Sequence, residues 1–258
     1  MSVKKLLDLT GRTAIVTGGS RGLGLQIAEA LGEMGATLVL TARKQDELDA
    51  AVAHLAKRGV KASAQVCDLG KRATIPALVD AVLAQHKRID ILVNNAGAVW
   101  AEPAETHPLE AWDKLVSLNL IGTFALSREV ATKSMIPNRY GRIVCVASTA
   151  GLSASDPRVV RTVSYNATKH GVVGMVRQLA AEWGVHGITA NAICPGFFPS
   201  KMTNAMLGQT GKLVLEGTPT GRLGGEEDLK GLAVLLASDA SRHLTGQAIA
   251  VDGGATLI

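Results

Sequence analysis

Residues 13–24 run "TAIVTGGSRGLG". The first five are apolar or β-branched without interruption, the composition of a strand buried on both faces. Gly18, Gly22 and Gly24 then permit a tight turn and a close backbone approach. The next segment, "GLGLQIAEALGEMG" (22–35), continues with helical periodicity. Strand, glycine turn and helix N-terminus in that order put free N–H groups and a partial positive charge where a pyrophosphate can sit. The spacing is Gly-x-x-x-Gly-x-Gly rather than Gly-x-Gly-x-x-Gly. The position of the turn in the first strand–helix unit carries the nucleotide reading, not the fingerprint alone. Without a ligand the same glycines would be a turn and nothing more.

The pattern repeats along the chain. "TLVLTAR" (37–43), "KASAQVCD" (61–68), "IDILVNN" (89–95), "RIVCVAS" (142–148), "ITANAICPG" (188–196) and "QAIAVDGG" (247–254) add six strands. Helical segments such as "QDELDAAVAHLAKRG" (45–59) lie between them. This alternation predicts an α/β fold with a parallel sheet and helices on both faces. No Pro/Gly/Ser-rich linker divides the 258 residues, so residues 1–258 are expected to form one domain. The least regular region follows the sixth strand. Residues 197–225 are dense in Gly, Pro and Thr, and a substrate lid is expected there.

Bulk composition excludes several classes. At 47% hydrophobic and 19% charged the chain can build a core and is not disordered. Cys67, Cys145 and Cys194 are far apart, with no CxxC or Cys/His cluster, so neither a zinc site nor a disulfide framework is expected. The N-terminus has no long apolar region with a cleavage site, and no apolar run reaches the length of a membrane span, so a cytoplasmic protein is expected. The net charge of +5 comes without a dense Lys/Arg run or a basic stretch interleaved with aromatics. Nucleic-acid binding is therefore not expected.

The end of the second strand bears on cofactor choice. A fold that prefers NAD usually places an acid there for the ribose 2′-hydroxyl. No acid occurs from Leu38 to Lys44; Ala42 and Arg43 stand in its place. Arg43, and Arg21 in the glycine loop, can pair with a 2′-phosphate, so NADP(H) is expected. Asp68 ends the third strand and has two readings, an acceptor for an adenine amino group or a helix cap.

"NNAG" (94–97), "SYNATK" (164–169), "CPG" (194–196) and "LTGQAIAVDGG" (244–254) complete a set. With the glycine loop, these motifs resemble the short-chain dehydrogenases/reductases in order and separation over almost the whole chain. The resemblance implies a single-domain Rossmann fold with a seven-stranded parallel sheet, and a site built from Asn119, Ser148, Tyr165 and Lys169. It implies cofactor contacts from Gly18, Ser20, Arg21, Gly22, Leu23, Gly24, Arg43, Asp68, Leu69, Asn95, Ala96, Gly97, Tyr165, Lys169, Pro195, Gly196, Phe198 and Ser200. Ser200 matches the hydroxyl position that often contacts the nicotinamide. A homotetramer is implied as well, with the helices around 109–136 and 165–184 at one interface and the C-terminal region at another.

The chemistry explains why Lys169 follows Tyr165 by one helical turn. Reducing a ketone leaves an alkoxide that needs a proton, and oxidising the alcohol needs a base. A tyrosine near pKa 10 is a reluctant base at neutral pH, and a neighbouring ammonium is expected to lower that pKa. Ser148 would donate a hydrogen bond to the carbonyl oxygen. Asn119 would hold a water that relays protons from Lys169. Tyr140, the other tyrosine, lacks such company and is expected in a loop or on the surface.

One departure stands out. Ser148 and Tyr165 are separated by roughly four more residues than the resemblance leads one to expect, an insertion of the kind loops accept. Ser153 thereby becomes a rival for the serine role. Ser148 is preferred because it directly ends an apolar strand. The longer loop carries Arg158 and Arg161, either of which could meet an anionic substrate group or simply be solvated. The expected function is a reversible NADP(H)-dependent carbonyl reductase. Within it, gluconate 5-dehydrogenase-like sugar-acid or small-ketone reduction competes with 3-oxoacyl-thioester reduction. A non-catalytic NADP(H)-binding sensor or scaffold on the same fold is the alternative.

Overall fold

In the computed structural model, residues 1–200 and 203–258 are described. The seven strands are β1 (Thr13–Thr17), β2 (Thr37–Ala42), β3 (Ala62–Val66), β4 (Ile91–Asn94), β5 (Gly141–Val146), β6 (Ile188–Pro195) and β7 (Ala248–Val251). They form one parallel sheet in the order β3-β2-β1-β4-β5-β6-β7. Every strand expected from the sequence is present: β1 matches its expected range, β5 begins one residue earlier than expected, and most strands end one to three residues sooner.

The continuous apolar runs are explained by two cores, one on each face of the sheet. Ala14 and Val16 of β1, Leu38 and Leu40 of β2, and Val144 and Val146 of β5 face one core. Ile15, Val39, Ile143 and Cys145, which alternate with them, face the other. The first core is covered by α2 (Gly22–Glu33), α3 (Gln45–Ala56) and α8 (Lys230–Ala237). The second is covered by α4 (Ile75–His86), α5 (residues 109–138) and α6 (Val163–Trp183). Each fully buried Leu, Ile or Val contributes about 1.5–3 kcal/mol, so this double layer dominates stability. The edge strand β3 departs from the pattern. It is only half buried, and Val66 is exposed.

Two helices lie outside the sequence reading. The short α1 (Val3–Leu7) is capped by Ser2, whose Oγ accepts from Lys5 N at 3.3 Å. In the expected lid, α7 (Asn204–Glu216) forms a regular helix inside what the Gly/Pro/Thr content suggested was irregular. Gly208 and Gly211 lower its intrinsic propensity, but the buried Val214 anchors it. Lys201 and Met202 of the expected lid lie outside the described residues.

α5 is one continuous helical stretch with two registers. Leu109–Leu115 and Thr123–Val130 are α-helical, whereas Val116–Gly122 and Ala131–Met135 are π-helical. A π turn inserts a residue and releases backbone groups from the regular ladder, and such turns recur at functional sites. The first of these contains Asn119.

Tyr140 is not a surface residue. It is half buried at the N-terminal edge of the sheet, with the Arg12 and Arg142 guanidinium carbons 3.9 and 4.4 Å from its ring centroid. Its hydroxyl donates to Asp239 Oδ1 at 3.0 Å, and burial pushes the phenol up to about 12. Charge–ring stacking and a hydrogen-bonded tip account for a tyrosine that no catalytic motif requires. No helix among the described residues is long and apolar enough to cross a membrane.

Candidate active site

β1 and β4 are neighbours in the sheet, but β1 is followed by β2 on one side and β4 by β5 on the other. Ligands of open α/β sheets bind beyond the carboxyl ends of the strands at such a reversal. The glycine loop and the "NNAG" segment meet there.

The glycine loop is held from both flanks. Gly18 N donates to Thr41 O at 2.7 Å, fixing the loop to the end of β2. Asn95 Nδ2 donates to Thr17 O at 2.9 Å and Gly18 O at 3.1 Å. Thr17 Oγ1 accepts from Asn95 N and Ala96 N, both at 2.9 Å. The Asn95 side chain thus braces the loop, while Gly97 lies nearest the catalytic groups, close to Asn119 Oδ1 and Lys169 Nζ. Gly18 has φ +61 and Gly22 φ +55, both left-handed and suited to glycine. α2 begins with no side chain capping its N–H groups, and Leu23 of its first turn packs against the core.

Gly24 sits where the loop folds back on itself. A Cβ there would lie 2.3 Å from Gly18 O and 2.4 Å from Asn95 Nδ2. Gly24→Ala is expected to displace the loop at a cost of about 1–3 kcal/mol, as overpacking does. For a chain of this size that lowers the melting temperature by about 2–4 °C per kcal/mol. Scanning calorimetry checks this, and an unchanged melting temperature would show that the loop does not need this close approach.

At the mouth of the site, Arg43 is exposed and has no hydrogen-bond or ion-pair partner among the described residues. Arg21 differs. Its Nη1 lies 2.7 Å from Glu47 Oε1, and Lys44 Nζ lies 3.3 Å from the same oxygen. Ser20 Oγ is 3.5 Å from Glu47 Oε2. Lys44 and Glu47 were invisible as site residues in the sequence, because nothing in a linear reading brings Glu47 beside Arg21. Asp68 behaves as a turn cap. Its Oδ1 accepts from Gly70 N at 3.1 Å and its carbonyl from Lys71 N at 2.9 Å. Leu69 is buried, and its carbonyl lies against Gly122 of α5.

The reactive side chains converge from β5, α5 and α6. Ser148 follows β5 in extended backbone, with its Oγ accepting from Ala150 N at 3.1 Å. Its hydroxyl draws the Tyr165 phenol pKa down. Ser153 is exposed and bonds through its backbone: its N donates to Thr149 O at 3.1 Å and its carbonyl accepts from Asn166 Nδ2 at 3.4 Å. The turn after Ser148 packs tightly on α6, since a Cβ at Gly151 would lie 2.6 Å from Lys169 O.

Lys169 is buried, with its Nζ donating to Val146 O at 2.8 Å and lying 5.5 Å from the Tyr165 ring centroid. Burial pushes its ammonium down to about 8, against the pull of the Cys145 and Cys194 thiols. Burial also pushes the Tyr165 phenol up, while the Ser148 hydrogen bond draws it back. In the free protein burial is the largest influence on the phenol, and its direction is upward. The ammonium is itself desolvated and aimed at a backbone carbonyl, so in this state the phenol keeps its proton.

Asn119 is buried and its amide is fully engaged. Oδ1 accepts from Ala98 N at 2.9 Å; Nδ2 donates to Ala98 O at 2.9 Å and to Thr168 Oγ1 at 3.2 Å. It ties the segment after β4 to α6 immediately beside Lys169. Its backbone carbonyl accepts from Thr123 Oγ1 at 2.8 Å.

The remaining expected residues are more mixed. Gly196 N donates to Val251 O at 3.0 Å, closing the "CPG" turn after Pro195 onto β7. Phe198 turns into the core, where a Cβ on Gly224 would touch its ring, so its side chain is not presented to the site. Ser200 Oγ is 3.1 Å from Thr203 Oγ1. In the long loop, Arg158 is neutralised by Asp156, Nη2 to Oδ2 2.7 Å, whereas Arg161 is exposed and makes only a 3.4 Å contact to Pro157 O.

That loop is clamped at both ends. Glu102 N donates to Arg161 O at 2.9 Å in a parallel bridge that pairs Glu102 with Thr162. Asn166, the neighbour of Tyr165, contacts Ser155 Oγ and accepts from Thr162 Oγ1 at 2.8 Å. His107 Nε2 lies 2.7 Å from Ser164 Oγ. The sequence reading gave no role to Asn166, although it lies within "SYNATK", or to His107, which has no motif.

The residues present suit a dinucleotide: a loop in which a Cβ at Gly18, Gly19 or Gly24 would clash, an uncapped helix start and an exposed arginine at its mouth. Among the described residues no group of three His, Cys, Asp or Glu side chains gathers to hold a metal.

Comparison with known proteins agrees with this geometry. A family model described as enoyl-(acyl carrier protein) reductase matches residues 18–256. The gluconate 5-dehydrogenase of Gluconobacter oxydans (strain 621H) is 37% identical over 259 residues, covering 100% of this chain and 99% of that protein. The 3-oxoacyl-(acyl-carrier-protein) reductase FabG of Escherichia coli (strain K12) is 32% identical over 252 residues, covering 98% and 100%. Among solved structures, a gluconate 5-dehydrogenase from Burkholderia cenocepacia J2315 in complex with NADP and tartrate superposes with a TM-score of 0.94 at 32% identity, over 100% of each chain. With the family model, the relatives and the fold in accord, the chain belongs to the short-chain dehydrogenase/reductase family, oxidoreductases acting on CH–OH and C=O groups.

Proposed function

We propose that the chain is an NADP(H)-dependent reductase that interconverts a ketone and a secondary alcohol, with Tyr165 as the general acid and base. The observation that carries this is the buried Lys169, its Nζ 5.5 Å from the Tyr165 ring centroid and anchored on Val146 O at the end of β5, just before Ser148. Bound NADP(H) supplies or accepts the hydride. The glycine loop and the start of α2 would hold its pyrophosphate, and Arg43 and Arg21 would bind its 2′-phosphate. NADP in the complex of the Burkholderia relative supports the choice of cofactor.

The protein's own groups do the proton chemistry. Ser148 polarises the substrate oxygen, and Tyr165, kept protonated by burial, donates to it. Lys169, pushed down to about 8, can pass a proton on near neutral pH. Asn119 sets the position of this group by tying α6 to the segment after β4.

The substrate proposed is a keto or hydroxy sugar acid, in line with the two gluconate 5-dehydrogenases. Arg161 is the better candidate for its carboxylate, because Arg158 already has a carboxylate partner. Initial rates across sugar acids, 3-oxoacyl thioesters, diketones and aryl ketones, each with NADPH and NADH, test the reading. Turnover of a sugar acid with NADPH is expected; turnover confined to thioesters would move the substrate class.

A homotetramer is proposed as well, supported by the exposed apolar side chains Leu109 and Phe124 on α5, and Leu257 and Ile258 at the C-terminus. Light scattering should give four times the chain mass of 26.8 kDa. A monomeric mass would overturn it.

A further inference from the structure

Glu47 lies in the first turn of α3, where a carboxylate normally faces its own helix N–H groups. It reaches across to the glycine loop instead. Its two oxygens take Arg21 Nη1 at 2.7 Å, Lys44 Nζ at 3.3 Å and Ser20 Oγ at 3.5 Å. These donors come from two separate segments, the turn after β1 and the turn after β2. They converge on one anion. Arg43, between them in the sequence and exposed, has no such partner. The chain therefore carries a pre-assembled anion-binding set at the mouth of the nucleotide site, with one of its own carboxylates in it.

We propose that Glu47 is an internal competitor for the 2′-phosphate of the coenzyme, and so sets how strongly this chain discriminates NADP(H) from NAD(H). This rests on the NADP(H) reading above. A phosphate monoester carries about −1.5 to −2 charges and three acceptor oxygens, so it outbids a single carboxylate for the same donors. Binding of the phosphorylated coenzyme must still displace Glu47 from Arg21 and Lys44. Without a 2′-phosphate no such displacement is required, and the carboxylate remains to accept from a ribose 2′-hydroxyl. The residue thus weakens one coenzyme selectively.

The test is calorimetric titration of wild type, Glu47→Gln and Asp46→Asn with NADPH and NADH. Adenosine 2′,5′-bisphosphate and adenosine 5′-monophosphate serve as probes that undergo no reaction. Asp46→Asn makes the same charge change one residue away without the contacts. Glu47→Gln is expected to tighten NADPH and the bisphosphate by about 3- to 10-fold, the scale of two partly exposed ion pairs. NADH and the monophosphate should bind no more tightly, and Asp46→Asn should move the ratio much less.

Equal tightening of all four ligands, or an equal effect from Asp46→Asn, would reduce Glu47 to a general charge effect and overturn the proposal. Weaker NADPH binding in Glu47→Gln would make Glu47 a strut for Arg21 rather than a competitor, and would also overturn it. If wild type itself binds NADH as tightly as NADPH, the cofactor reading fails first. An unchanged ratio in Glu47→Gln on a wild type that prefers NADPH defeats only this inference. Matching thermal melts establish that the variants compared are folded.

Discussion

Tyr165→Phe should lower kcat by about 10²–10⁴-fold, the usual contribution of a positioned acid or base, while leaving coenzyme affinity nearly unchanged. The substitution removes one oxygen and keeps the ring that Lys169 faces at 5.5 Å. Packing should survive, so the loss is chemical. The pH dependence has a definite sign. Burial raises the phenol above its ordinary value, with Ser148 pulling only partly against it. At neutral pH the group is protonated, which is what ketone reduction needs, so its titration should not limit reduction there. Alcohol oxidation needs the tyrosinate, whose fraction grows tenfold per pH unit below the pKa, so oxidation should climb with rising pH. Steady-state rates in both directions across pH 6–9 (roughly) check this. A Tyr165→Phe enzyme that keeps its kcat would remove Tyr165 from the mechanism.

Ser148→Ala is expected to cost about 10²–10³-fold in kcat, as the loss of a hydrogen-bond donor to a developing oxyanion does. Ser153→Ala should be near wild type. The contrast follows from geometry. Ser148 draws the phenol pKa down, whereas the exposed Ser153 bonds through its backbone. Loss of Ser148 also removes the one hydrogen bond that draws the Tyr165 phenol down, so the variant's oxidation profile should shift to higher pH. Kinetics of the two variants decide it. Full activity in Ser148→Ala with loss in Ser153→Ala would reverse the assignment.

The sheet was legible because a strand buried on both faces is dominated by apolar residues, and the five inner strands approach that limit while the edge strands β3 and β7 are only half buried. The edge strand β3 was readable from β-propensity and from its place between two helical segments. The four residues proposed for the catalytic site were read from motifs, and the fold brings them together from the end of β5, from α5 and from the start of α6. What escaped the sequence lies where distant segments meet. Glu47 looks like an ordinary acid of a helix start until the fold brings Arg21 to it. Tyr140 is a loop residue as expected, but its partial burial escaped the sequence because Arg12 and Arg88, which with Arg142 surround its ring, come from distant segments. The π turn around Asn119 also left no sequence signal. It depends on how α5 lies against α6, not on local propensity. The upward push on the Tyr165 phenol left no mark in the sequence because burial, which opposes the charged form of both Tyr165 and Lys169, is a property of the packed site.

The clamped loop between Ser148 and Tyr165 has a consequence for how such a chain can diversify. Its far end is stapled by the Glu102–Thr162 bridge, and Asn166 ties both Ser155 and Thr162 to the first turns of α6. The Ser148–Tyr165 contact is set by β5 and α6, and the residues between the staples hang outside that frame. Insertions and deletions there alter the rim over the substrate without moving the chemistry beneath it. Loop length becomes a heritable variable nearly independent of the reaction. A lineage can then acquire new substrates by lengthening one segment while the proton-transfer machinery stays under unchanged selection.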